Sequence, residues 1–201
     1  MPAHSREPIT RIVLHRMRRA NVRRTLTAAL CVIAVVACGG GDGAAGPAGG
    51  GGPRTRVPDE LVGTWFSGDV SPTEFYNPHT GHWGGNGYGQ GVFYRFSADG
   101  SYEYGYQNWS ELYGCGTQTM FYVKGTMEVD ETVRVFVLHP TSAKRFERNT
   151  CAGTETEVNY RDEGESDYYQ VRVADDGTIE LWTRYTDGSD DRWYRARKVD
   201  W

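Results

Sequence analysis

On either side of Ala98-Asp99-Gly100, YRFS at the end of GVFYRFS and the whole of SYEYGYQ alternate aromatic with polar or small residues at a period of two. That period fits a strand whose successive side chains point to opposite faces, and it excludes a helix. A three-residue loop with Gly100 in the left-handed region fixes the register. Ser97 then faces Ser101, Phe96 faces Tyr102, Arg95 faces Glu103 and Tyr94 faces Tyr104. Aromatic side chains share one face, and the opposite charges pair on the other.

The same loop rule applied to YYQVRVA, Asp175-Asp176-Gly177 and TIELWTR sets Val173 against Ile179, Val171 against Leu181 and Arg172 against Glu180. A third run, MFYVKGTMEVDETVRVFVL, reads as a hairpin aligning Phe121, Val123 and Met127 with Val133, Val135 and Val137. Across Asp187 to Asp190, Leu181 falls beside Ala196, and Trp182 beside Arg195 in cation–π position.

Strands are expected near 61–66, 91–97, 101–109, 117–128, 132–139, 155–161, 168–174, 178–186 and 191–198, with 154–167 the ambiguous stretch. An up-and-down antiparallel meander of eight or nine such strands closes into a β-barrel, which removes its edges. Connections 67–90, 110–116 and 140–154 then fall at one end, and they carry Cys115 and Cys151.

Upstream lies a different kind of sequence. RRANVRRTLTAALCVIAVVAC places basic residues before an apolar run from Leu26 to Ala37, the order of a secretory signal, with Met17 an alternative start to Met1. The run is short of the roughly 20 residues that span a bilayer. Val35-Val36-Ala37-Cys38 resembles the bacterial lipobox, which implies cleavage before Cys38 and acylation of that cysteine. Two or more acyl chains make a stable anchor. Gly39 in the next position implies the outer membrane, facing the periplasm or the cell surface. The expected division is therefore a signal peptide over 1–37, a lipidated Cys38 with a Gly/Ala/Pro-rich tether to 57, and a folded domain over 58–201. A tether of that composition buries no apolar surface.

Residues 1–37 hold seven Arg and one Glu of the chain's 22 basic and 26 acidic side chains, so the cleaved chain carries a formal net charge of −10. Nucleic-acid binding needs a basic face, and an acidic chain lacks one. The acidic runs 155–167 and 187–191 match no EF-hand spacing and read as solvated charge. Cys31 leaves with the signal and Cys38 with the lipid. Cys115 and Cys151 remain as an even pair in an oxidising compartment, where a disulfide is expected to contribute roughly 3–4 kcal/mol in the chain-entropy model.

PDELVGTWFSG is similar to the opening strand of lipocalin-like, calycin-type barrels, through Gly63-Thr64-Trp65. TGHWGGNGYGQGVFYRFSADGSYEYG and YGCGTQTMFYVKGTMEV extend the resemblance to uncharacterised bacterial lipocalin-like lipoproteins over most of 60–198. The resemblance implies a barrel closed by Gly63, Trp65 and an arginine of the last strand, Arg195 or Arg197, lying over the tryptophan. It implies no activity.

The loop SPTEFYNPHTGHWGGNGYGQG, with Phe75, Tyr76, His79, His82, Trp83 and Tyr88, is the longest connection and is expected across the barrel mouth. Its glycine spacing does not fit a phosphate loop, and His79 and His82 lack an evident third ligand, so neither cofactor nor metal is expected. His139 is expected to make a local hydrogen bond at the rim. Tyr94, Tyr102, Tyr104 and Tyr106 either line a cup or fill a solid core. No catalytic motif stands out. The expected function is a monomeric binding protein holding a small apolar or aromatic molecule through Trp83, Tyr88, Tyr94 and Tyr104. Its rival is a pocketless module whose aromatic loop docks an envelope protein or glycan.

Overall fold

The computed structural model describes residues 52–69 and 88–200, with the backbone of 76–77 and 82–83. The described residues contain strands and no helix: β1 (Gly63–Gly68), β2 (Tyr76–Asn77), β3 (His82–Trp83), β4 (Gln90–Phe96), β5 (Ser101–Leu112), β6 (Cys115–Asp130), β7 (Val135–Asn149), β8 (Thr154–Asn159), β9 (Ser166–Val173), β10 (Ile179–Tyr185) and β11 (Tyr194–Val199). All but β2 and β3, which pair with each other, form one nine-stranded sheet.

Its pairings are all antiparallel, and that of β6 with β7 joins β1, β4, β5, β6, β7, β9, β10 and β11 into a continuous ring of backbone hydrogen bonds. The ninth strand, β8, stands outside the ring. It pairs with the second half of β7, Lys144–Asn149, whereas β9 pairs with the first half, Val135–Val137. The expected sequential meander is thus interrupted once.

Turn chemistry places the strands. At the β4–β5 turn the Asp99 carboxylate accepts from the Ser101 amide and hydroxyl, at 3.0 and 2.7 Å, and Gly100 has φ +82°. The Ser101 hydroxyl is the main reason the Asp99 carboxyl titrates below its ordinary value. The expected pairs Phe96–Tyr102, Arg95–Glu103 and Tyr94–Tyr104 are present, as are Val173–Ile179, Val171–Leu181, Leu181–Ala196 and Trp182–Arg195.

The third hairpin differs from expectation. Asp130 accepts from the amides of Thr132 and Val133, and Arg134 turns at φ +53°, so Val135 faces Asp130 and Val137 faces Glu128. Phe136 and Leu138 fill the core, and Val133 is exposed. A bulge opposite Lys124 and Gly125 then flips the parity of β7, which brings Ala143 inside.

Phe96 of β4 meets Phe136 of β7 at 5.6 Å, and these strands are three places apart in the ring and do not pair, so this face is the interior. Trp65, Tyr94, Tyr102, Tyr104, Tyr106, Phe121, Val123, Met127, Tyr169 and Leu181 share it. Pro58 to Val62 forms a turn that plugs one end: Val57 and Leu61 are fully buried, and Trp65 Nε1 donates to the Leu61 carbonyl at 2.8 Å. The folded part also reaches into the stretch expected as tether. The Thr55 amide donates to Met127 O, and the Thr55 hydroxyl accepts from the Val129 amide.

The outer face carries a second apolar cluster, Phe66, Phe93, Met120 and Tyr122, with Phe146 and Val199 against it. Gly105 makes this packing feasible, because a Cβ there would overlap the Phe93 ring.

Candidate functional site

At the end away from the Leu61 plug, four strands outrun the ring. β5 pairs with β4 only as far as Asn108, but it pairs with β6 up to Leu112–Cys115, while β6, β7 and β8 run on together to Asn149 and Thr154. Where loops are expected, at 110–116 and 140–154, the structure has a projecting arm instead. At its tip Tyr113 (φ 54°) and Gly114 (φ 77°) form a two-residue turn with both central residues left-handed, the geometry that continues the strand twist.

Cys115 and Cys151 are joined, as expected, with Cα atoms 5.2 Å apart. The surroundings hold the arm further. The Thr150 amide donates to Gly116 O at 2.9 Å, its hydroxyl accepts from the Gly116 amide at 2.7 Å, and Asn149 Oδ1 accepts from the Cys151 and Ala152 amides. The strand tips of β6 and β7 are therefore locked together. Out on this brace Leu112 is 69% exposed and Tyr113 95% exposed.

The inner face also carries two acidic side chains. Reading β9 backwards from Val171 at a period of two puts Tyr169, Asp167 and Glu165 on the inner face, and Asp167 and Glu165 are 3% and 6% exposed. They belong to the acidic run expected to be solvated. The period was legible in the sequence, but the charge argued against it. Tyr94 Oη donates to Glu165 Oε1 at 3.1 Å, and Tyr185 packs edge-on to Tyr194 at 5.8 Å. Burial pushes the Tyr106 hydroxyl up to about 12 and raises that of Tyr169 as well.

Of the expected ligand residues, Tyr94 and Tyr104 come together, with ring centroids 5.0 Å apart, as part of the packed interior. Tyr88 is on the other side of the wall, 66% exposed and edge-on to Trp109 at 5.2 Å, so it shares no site with them. Trp83 pairs through its backbone with Tyr76. The side chains of Tyr76, His82 and Trp83, and all of Phe75 and His79, lie outside the described residues, as do Met17, Cys31 and Cys38.

The cation over Trp65 is neither expected arginine. Lys198, paired with Trp65 across β1 and β11, sits 5.4 Å from the ring and beside Gly63, whereas Arg195 lies over Trp182 and Arg197 over Phe66. His139 makes its expected local contact, with Nε2 2.8 Å from Glu128 Oε2. Compared with protein-family models and with curated proteins, the chain matches none.

Proposed function

We propose that the chain is a lipid-anchored protein of the bacterial cell envelope, held at the outer membrane by acylated Cys38, whose lipocalin-like barrel is a non-enzymatic interaction module. The arm is its docking element. The observation that carries this reading is the pair Leu112 and Tyr113, held in water at the tip of a hairpin that the Cys115–Cys151 bond braces. A rigid apolar anchor loses little conformational entropy on binding. The inner aromatic side chains touch across the ring, which speaks against a deep container. The partner is another envelope component.

A second reading, a small molecule held inside the strand ring, is favoured by two buried carboxylates, Glu165 beside the Tyr94 hydroxyl and Asp167 two residues on along the same face. Such a ligand would carry hydrogen-bond donors or positive charge, not the purely apolar surface expected from sequence.

A photo-cross-linking residue placed at position 113 in living cells tests the first reading. It should trap a discrete adduct, and the same residue at the exposed Val173, at the opposite end, should not. Equal patterns at both positions would refute docking through the arm.

A further inference from the structure

We propose that β8 is a strand-addition site: its free edge takes up an extended, basic segment of the partner protein. This rests on the arm being the docking element and names what it docks.

Among the described residues β8 pairs with β7 alone, and all six of its residues are exposed. The pairing alternation tells which backbone groups are free. The Tyr160 amide donates to Ala143 O at 3.0 Å, so residues an even number away, Val158, Thr156 and Thr154, direct their N–H and C=O toward β7. Glu155, Glu157 and Asn159 therefore direct theirs outward, a row of three donors and three acceptors.

Natural sheets guard such edges with a very short strand, charged side chains, proline or a bulge. Of these β8 carries only charge, on Glu155 and Glu157: TETEVN runs in unbroken register against Lys144–Asn149, and Thr154, Thr156 and Val158 are residues that favour strands. The edge is also preorganised, because the turn leading into it is fixed by the disulfide and by Thr150 and Asn149. An ordered edge is the setting in which strand addition gains main-chain hydrogen bonds without paying to order the receptor.

The side chains state the partner's chemistry. Glu155 and Glu157 lie on one face, 2.6 Å from Arg148 and 2.7 Å from Lys144, and Thr154, Thr156 and Val158 lie on the other. An incoming strand is matched if it alternates basic residues, opposite the glutamates, with β-branched ones, opposite Thr156 and Val158. A second copy of β8 does not match. Antiparallel pairing about Thr156 would set Glu155 of one copy against Glu157 of the other.

The test uses the mature lipidated protein in nanodiscs and a synthetic peptide, acetyl-Lys-Val-Lys-Val-Lys-Val-Lys-amide, followed by amide hydrogen exchange. The expected result is about tenfold or greater slowing at the Glu155, Glu157 and Asn159 amides. N-methylating alternate peptide residues should abolish binding. Glu157→Pro, which removes an outward N–H and leaves the bonds to β7, should weaken binding at least about tenfold, and Glu157→Gln should weaken it several-fold less. Peptide bound without protection of those three amides, bound equally after N-methylation, or not bound at all would overturn the proposal. The cross-link at position 113 would be unaffected by such a failure, so the two readings fall separately.

Discussion

The Tyr94 hydroxyl donates to the Glu165 carboxylate at 3.1 Å, and the two residues stand on opposite walls of the strand ring, one on β4 and the other at the entry to β9. This bond crosses the lumen and ties the two walls together. Tyr94→Phe keeps the ring and its contact with Tyr104 but removes the donor to a buried carboxylate. It should cost about 1–3 kcal/mol in denaturant unfolding. A change below about 0.5 kcal/mol would show that the bond does not hold the walls.

Tyr106 makes stability sensitive to alkali. Its hydroxyl is buried and ionises at about 12 in the folded chain, against 10.0 unperturbed. The folded state therefore keeps a proton that the unfolded state releases, and stability falls as pH rises. This contribution is fully present below pH 10 and is lost progressively up to about 12, a loss of about 2–3 kcal/mol. Tyr106→Phe should flatten that part of the curve; an unchanged alkaline slope would contradict the assignment.

Much of the fold could be read from alternation and turn residues, because each hairpin with an Asp-Gly turn has a single register that buries its apolar face. The third hairpin could not be read that way. Asp130 caps a four-residue turn, which sets Leu138 rather than a valine opposite Met127, and a bulge at Thr141 then changes parity midway along β7. The arm was hidden for a related reason. Tyr113 is a poor advertisement for a left-handed turn position, and the stretch 110–116 resembled a loop. The buried Glu165 and Asp167 were missed because an isolated charge reads as solvent-facing unless strand parity is trusted over polarity. The lipid anchor rests on sequence alone.

Removal of the Cys115–Cys151 bond, which closes a 36-residue separation, should destabilise the chain by roughly 3–4 kcal/mol through the entropy of the unfolded state. Paired Cys→Ser substitution should also speed amide exchange in β8 more than in β10. Uniform acceleration would mean that the bond does not brace the arm in particular.

Tyr113 separates function from stability. Tyr113→Asn places Asn before Gly114, the preferred pair for a turn with both φ values positive. Stability should stay the same or rise by up to about 1 kcal/mol, while partner affinity falls at least about tenfold. Retained affinity would remove Tyr113 from the docking surface.

The most direct test of an interaction module with a packed interior is native mass spectrometry of the mature lipidated protein, gently released in detergent, before and after organic extraction. One mass should be found, two hydrogens below that of the reduced chain because of the Cys115–Cys151 bond, and unchanged by extraction. A discrete small molecule released by extraction would contradict the packed lumen and make the protein a carrier.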